Sequence, residues 1–497
     1  MLAGSLVAAA VLLSPLAAQQ PAQAPPPQTA PQAPAPHAAE APPATQQSDS
    51  AAQQPGADAQ LHTGTSSGLT VDARLKNLLA DHQFLRVERQ LGDLAPEQAQ
   101  FYRGILANRS NDPGKSIQLL EPLIDRVTAA GDAGSEKLLR KALAEDYLRL
   151  GELAKAGAAY EALDSRQHSN LSQDEQDEIE MPLKLLPLAK ANPPTTIDPC
   201  EPFRLQVSIN PLGLVDVPVF IDARSRTWML DPTAPFNLIS RATAKAIGLT
   251  VSGDFVTIHT LTGRPIPVRV TLIPRLTIGG RLTLHNVTAF VFDDADYSFK
   301  GSGYHVEGVL GYPALAAMGS LTFGDNIIEV RPAKEIVTGG PSDLLTDGAR
   351  FYLDGDRIVV ALDRAPEPST DPRDSGSSSA GAGTNDDRIF EIDAGGQQTY
   401  FTSRWFDEHA AEFNDRKMVQ YSFPGSDTAP QSAYIADTVR LAAGSSIIEL
   451  HYIPVLTQPV GAAAHDDVYG VLGVDALGQL KSYTFDYRTM RFSASME

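Results

Sequence analysis

One spacing constrains this chain more than any other feature: its landmarks recur at a single fixed offset. Asp231 closes the apolar run Trp228-Met229-Leu230, and Asp393 closes Ile389-Phe390-Glu391-Ile392. Gly308-Val309-Leu310-Gly311 follows the first acid at the same separation at which Gly470-Val471-Leu472-Gly473 follows the second. Thr322-Phe323 and Thr484-Phe485 keep the offset of 162, as do Gly263 and Gly425. Chance does not hold one spacing through four landmarks, so a duplicated unit of about this length is expected.

Locally, each acid ends a short buried strand. After Asp231, Pro232-Thr233-Ala234-Pro235 dictates a tight turn, and the chain becomes apolar again at Phe236, Leu238 and Ile239. Ser240 is placed to cap a short helix over 241–247, which Gly248 stops. After Asp393 the turn is Ala394-Gly395-Gly396, and Tyr400-Phe401 returns to apolar character. An Asp before Pro is ordinarily a turn initiator. Its recurrence in the same frame makes this pair candidates for chemistry.

A strand ending in Asp, a small-residue turn, an apolar return and a later Gly-apolar-apolar-Gly segment together resemble the aspartic peptidases, in particular retropepsin-like halves joined as in pepsin. The resemblance covers residues 202–492. It implies a mainly β fold of two duplicated lobes forming a cleft, with Asp231 and Asp393 as the catalytic pair. It also implies that Gly263 and Gly425 sit in hairpins covering the cleft, and that Thr233 and Gly395 lie against substrate. In that family the acid is followed by Thr and Gly. Here Pro232 and Ala394 stand in the Thr positions and Thr233 in a Gly position, so the hydroxyls that lock one loop to the other are missing, and Pro232 also lacks an N–H. Thr233 puts a branched side chain where Gly would let backbone approach.

The remaining chain is read by composition. Residues 2–16 are apolar and followed by small residues, the pattern of a secretory signal ending near 24; the run is too short to span a membrane comfortably. The expected location is therefore secreted or periplasmic, with no membrane span in the mature chain. Residues 25–66 are rich in Pro, Ala and Gln with few large apolar side chains, and are expected to be a disordered linker. Helical spacing appears over 67–195. Tyr147, Gly151, Leu153, Ala156, Tyr160 and Leu163 have the spacing of a tetratricopeptide-like helix pair, which makes this region either a partner-binding module or a helical spacer. Residues 164–180 read as a polar, exposed stretch, and Asn192-Pro193-Pro194 as a boundary. Lobes are expected at 200–341 and 349–497, the second interrupted by a flexible insertion over 364–387.

A formal charge of −20 argues against a nucleic-acid partner, because phosphate binding needs concentrated basic surface. Cys200 is the one cysteine, so no intrachain disulfide forms, and it reads as a bystander thiol. Asp293, Asp294 and Asp296, or His465 with Asp466 and Asp467, lack the spacing of a metal loop and read as solvated charges. Gly114-Lys115-Ser116 lacks the upstream glycine of a phosphate loop.

Two carboxylates within hydrogen-bond reach share one proton: the ionised member activates water while the protonated one polarises a peptide carbonyl. No metal or cofactor is needed. The expected function is an aspartic endopeptidase acting on polypeptide. The alternative is an inactive homologue that binds a peptide or protein in the cleft or on the helical region. A carboxylate-pair glycosidase fits poorly, since the acids sit among apolar residues rather than sugar-binding aromatics.

Overall fold

The computed structural model describes residues 71–496, apart from 212, 233, 260–264, 296–303, 335–346, 356, 366–387, 395–397, 423–429 and 460–466. The expected signal and linker, and nearly all of the expected insertion, lie outside the described residues.

Among the described residues, eight α-helices come first: Val71–Ala80, Phe84–Gln90, Pro96–Arg109, Pro113–Leu120, Ile124–Ala130, Ala133–Arg149, Leu153–Gln167 and Gln173–Ala189. Their ends follow local chemistry. The Asp112 and Asp132 carboxylates accept from the backbone N–H groups of Lys115 and Ser135, and Gly131 ends a helix in the left-handed region at φ 69°. Gly104 lets the Pro96–Arg109 helix close on the next, for a Cβ there would come 2.4 Å from Leu120 Cδ2. Leu75, Tyr102, Leu120, Leu143 and Leu163 fill the helical core.

The Gln173–Ala189 helix refines the reading of an exposed acidic stretch over 164–180: residues 165, 166, 168–170, 172 and 173 are exposed as expected, and the change begins at Glu175. Ser172 and Glu175 form a reciprocal capping box at its start. Ile179 is buried, and Lys137 and Lys141 pair with Glu175 and Glu178 at 2.8 and 2.7 Å. Glu175 and Glu178 thus face lysines of another helix, a pairing that sequence polarity alone registers as solvent-facing.

The rest is mainly β, in two large sheets. One stretch of the larger sheet reads the same from either end. Its strands run Phe203–Gln206, Ile327–Arg331, Ser320–Phe323, then Ser482–Asp486, Arg491–Ser495, Ala349–Asp354. At its centre Ser320–Phe323 pairs antiparallel with Ser482–Asp486, so that Thr322 faces Thr484, its counterpart at the offset of 162, with hydroxyls 2.9 Å apart. The helices, both halves and this shared sheet enclose continuous apolar cores. Burying such side chains stabilises by roughly 1.5–3 kcal/mol each.

Candidate active site

Asp231 follows the strand Arg224–Leu230, whose last residues are buried. That strand lies parallel to Gly308–Leu310, with Met229 opposite Val309 and Leu230 opposite Leu310. Gly308–Leu310 in turn pairs antiparallel with Asn237–Ser240. The chain thus leaves a central strand, turns on the acid, and is crossed behind by the apolar segment. The Asp231 N–H donates to Leu310 O at 3.0 Å.

The same arrangement recurs in the second half, in the same frame. Ile389–Ile392 lies parallel to Gly470–Leu472, which pairs antiparallel with Tyr400–Phe401. The Asp393 N–H donates to Leu472 O, again at 3.0 Å. The helices that follow each return, Arg241–Ile247 and Ser403–His409, keep the same offset. The first has Ser240 as its cap, accepting from the Thr243 N–H, and Gly248 in the left-handed region at its end, as its sequence dictates.

Glycine at the crossing is required by space. A Cβ on Gly311 would lie 2.2 Å from Phe236 O, and one on Gly473 would lie 2.7 Å from the carbonyl carbon of Gln398. Each of these glycines donates its N–H to a side chain that sequence reading passed over. Gly311 donates to Asn237 Oδ1 at 3.1 Å, and Gly473 to Thr399 Oγ1 at 2.9 Å. Asn237 and Thr399 are buried and occupy matching places in the two halves, each at the same short distance beyond its acid; that spacing was the available signal. Thr399 also donates to Asp475 Oδ1 at 2.6 Å, which fixes its hydroxyl as acceptor toward Gly473.

The two acids differ in surroundings. Asp231 is 2% exposed, while Asp393 is half-buried. Tyr400 lies near Asp393: burial first, then the negative charges of Glu391 and Asp393, raise its phenol well above the usual range. Over the first turn stands the helical region. Pro232 and Pro235 share a small cavity with Leu148, Tyr160, Met181 and Pro182. Thr233, Gly263, Gly395 and Gly425, the expected substrate contacts, lie outside the described residues.

A second charged cluster lies where helices meet the second half. The His82 Nδ1 is 2.8 Å from Asp354 Oδ2, and its Nε2 is 2.5 Å from Asp467 Oδ2. Burial would lower the His82 pKa, but Asp354 and Asp467 outweigh it and raise it to about 8, with Arg357 opposing. Arg357 reaches both Asp467 oxygens, at 2.7 and 3.2 Å, and Glu391 at 2.8 Å. Asp467 is therefore an ion-paired group and not a solvated loop charge. Asp293 pairs with Arg241 at 2.7 Å. Among the described residues no group of His, Cys, Asp and Glu is arranged to hold a metal ion. None of their helices is long and apolar enough to cross a membrane. Burial raises the Cys200 thiol pKa, the opposite of an activated nucleophile.

Residues 217–314 match the family model described as aspartyl protease. Among solved structures the chain is similar to a retropepsin-like aspartic protease from Rickettsia conorii, at 13% identity over 27% of this chain and 92% of that one, with a TM-score of 0.20. It is also similar to Basic 7S globulin from soybean, at 10% identity over 60% of this chain and 97% of that one, TM-score 0.36. A structure titled edgp gives 10% identity over 60% and 95%, TM-score 0.34. No curated protein matches the chain in sequence. The chain carries an aspartyl-protease-like domain, and Asp231 with its crossing segment falls within the matched residues.

Proposed function

We propose that the chain is an extracytoplasmic aspartic endopeptidase of duplicated halves, in which Asp231 and Asp393 form the dyad that hydrolyses peptide bonds. One observation carries this reading: the acid-bearing turn, its parallel crossing and its backbone hydrogen bond recur in both halves at one offset. Thr233, Gly263, Gly395 and Gly425 are assigned to substrate contact, with an extended polypeptide hydrogen-bonded under the hairpins. The dyad shares one proton, so no metal or covalent intermediate is called for.

Activity in this reading is low. Without hydroxyls at 232 and 394 the loops lose interlobe hydrogen bonds of roughly 1 kcal/mol each, and a misplacement near 1 Å costs about a hundredfold in rate. The second reading, a peptide-binding protein without catalysis, draws on the same substitutions and on the helices over Pro232. The helical region then serves as the binding module, in a tetratricopeptide-like manner.

The deciding experiment is cleavage of a mixed peptide library, from about pH 3 to 7, by wild type, Asp393→Asn and the double change Pro232→Thr/Thr233→Gly. The expected order is double change, then wild type, then none for Asp393→Asn, with cleavage strongest in acid where a single shared proton is most populated. Equal cleavage by all three removes the dyad as its source. Silence in all three, with folding intact, leaves the binding reading.

A further inference from the structure

The helical region meets the two halves through different chemistry. Toward the first half the contact is apolar. The Gln173–Ala189 helix packs against both strands of the hairpin Val256–His259 and Pro265–Ile278. Ile266, Val268 and Val270 of that hairpin share one buried cluster with Leu185 and Leu186 of the helix. The connection out of the helix is stitched to the same half: Thr196–Ile197 pairs antiparallel with His285 and Leu284, and Thr195 Oγ1 donates to Asn286 O at 3.0 Å.

Toward the second half an ion network joins an apolar contact, for Tyr352, Val359, Ile389 and Val468 share the same buried cluster as the helices. Arg109 Nη2 lies 2.8 Å from Asp354 Oδ1, His82 bridges Asp354 and Asp467, and Arg350 reaches Glu88 at 2.9 Å on the rim. Phe84 against Tyr352, with ring centroids 4.9 Å apart, adds an apolar contact. A cavity of about 510 Å³ runs along this side, walled by Lys76, Lys137 and Glu175 from the helices and by Arg357 and Asp467 opposite. Parting the first seam would expose buried apolar surface, at roughly 25 cal/mol per Å². Parting the second returns ions to water, which recovers much of what their desolvation cost. The second seam, which carries the ion network and lacks the strand pairing of the first, is therefore the less costly one to part.

We propose that the helical region is a lid hinged on the first half and latched to the second through His82, Arg109, Asp354 and Asp467, and that parting this charged seam admits polypeptide to the acid-bearing turns. What the lid admits rests on the peptidase reading; that it moves does not. Closed, the lid brings Met181 and Pro182 to the cavity that Pro232 lines and packs against the hairpin that the peptidase reading sets over an extended substrate. The latched side is also closely seated: a Cβ on Gly355 would lie 2.3 Å from Glu178 Oε1.

The test is a reversible lock on the full chain. In a Cys200→Ser background, Glu88→Cys and Arg350→Cys place thiols on the exposed rim of the seam, for joining by a short bis-maleimide. Hydroxyl-radical footprinting then reads the buried rings Phe84 and Tyr352 on the latch side and Leu185 and Leu186 on the hinge side. The expected result is that cross-linking slows labelling of Phe84 and Tyr352 about tenfold, leaves Leu185 and Leu186 unchanged, and lowers peptide cleavage by a similar factor. On the wild type, about 1 M salt should speed labelling of the same two rings without any substitution. Labelling of Phe84 and Tyr352 that ignores both cross-link and salt overturns the lid. Cleavage unaltered by a cross-link that does slow labelling overturns its gating. Slowed labelling with no cleavage in any form supports the lid and counts against the peptidase reading alone.

Discussion

The first and second halves of the β region carry one backbone plan with different fittings. In the first, Asp231 is nearly sealed, its turn is stiffened by Pro232 and Pro235, and the crossing glycine is held by the amide of Asn237. In the second, Asp393 is half-buried, its turn is built of Ala and Gly, and the crossing glycine is held by a hydroxyl that is itself anchored on Asp475. The difference teaches which parts the plan cannot change. The parallel crossing, the backbone bond from each acid to the crossing strand and the crossing glycine are kept; the side chains that brace them are exchangeable. A brace needs only an acceptor at the right place, and an amide oxygen or an oriented hydroxyl supplies it equally.

The largest expected effect tests the invariant part. Gly311→Ala drives a methyl to 2.2 Å from a backbone oxygen, Gly473→Ala to 2.7 Å from backbone carbon. Both should destabilise by more than ~3 kcal/mol in urea unfolding, the first more than the second, because backbone cannot step aside as a side chain can. A Gly311→Ala protein as stable as wild type would break the equivalence of the two crossings.

An intermediate effect tests the exchangeable part. Thr399→Val keeps shape but leaves the Gly473 N–H and Asp475 without their partner, at about 1–3 kcal/mol, whereas Thr399→Ser should restore most of the loss. Asn237→Leu should cost about the same in the first half. If the valine variant unfolds like the serine variant, the hydroxyl is not a brace and the analogy with Asn237 fails.

The last expected effect, confined to a narrow pH window, concerns the charged seam where the helices meet the second half. His82 titrates near 8 when folded against an ordinary 6.5, so the folded state holds its proton more tightly than the unfolded chain does. Its contribution is then fully present below about pH 6.5 and is lost as pH rises through about 8, amounting to about 2 kcal/mol. Melting temperature measured from about pH 6 to 9 should fall in wild type more steeply than in His82→Gln. Parallel slopes would show that Asp354 and Asp467 do not hold the imidazolium.

Much of the β region was legible because steric necessity writes short, strict patterns. The strand that ends before Asp231, the return strand Asn237–Ser240 and the helix Arg241–Ile247 fall where apolar runs, a serine cap and a terminal glycine place them. The acids were legible only as a recurrence, since one Asp before Pro is ordinary. What escaped was whatever depends on partners far along the chain. Asp467 read as a loop charge because its partner His82 lies 385 residues away. Glu175 and Glu178 read as exposed because the lysines they meet, Lys137 and Lys141, stand on another helix, and sequence polarity does not distinguish a lysine from water.

The pairing of Thr322 with Thr484 has a consequence for how the chain is held together. A strand that meets its own counterpart at the centre of a sheet presents, when separated, the complement of itself. An excised first half would carry the Ser320–Phe323 edge open, with unpaired N–H and C=O groups, and another copy of that half could satisfy them in the register the second half now occupies. The covalent link from one half to the next thus does more than connect them: it lets each chain close this edge on itself before a neighbour can.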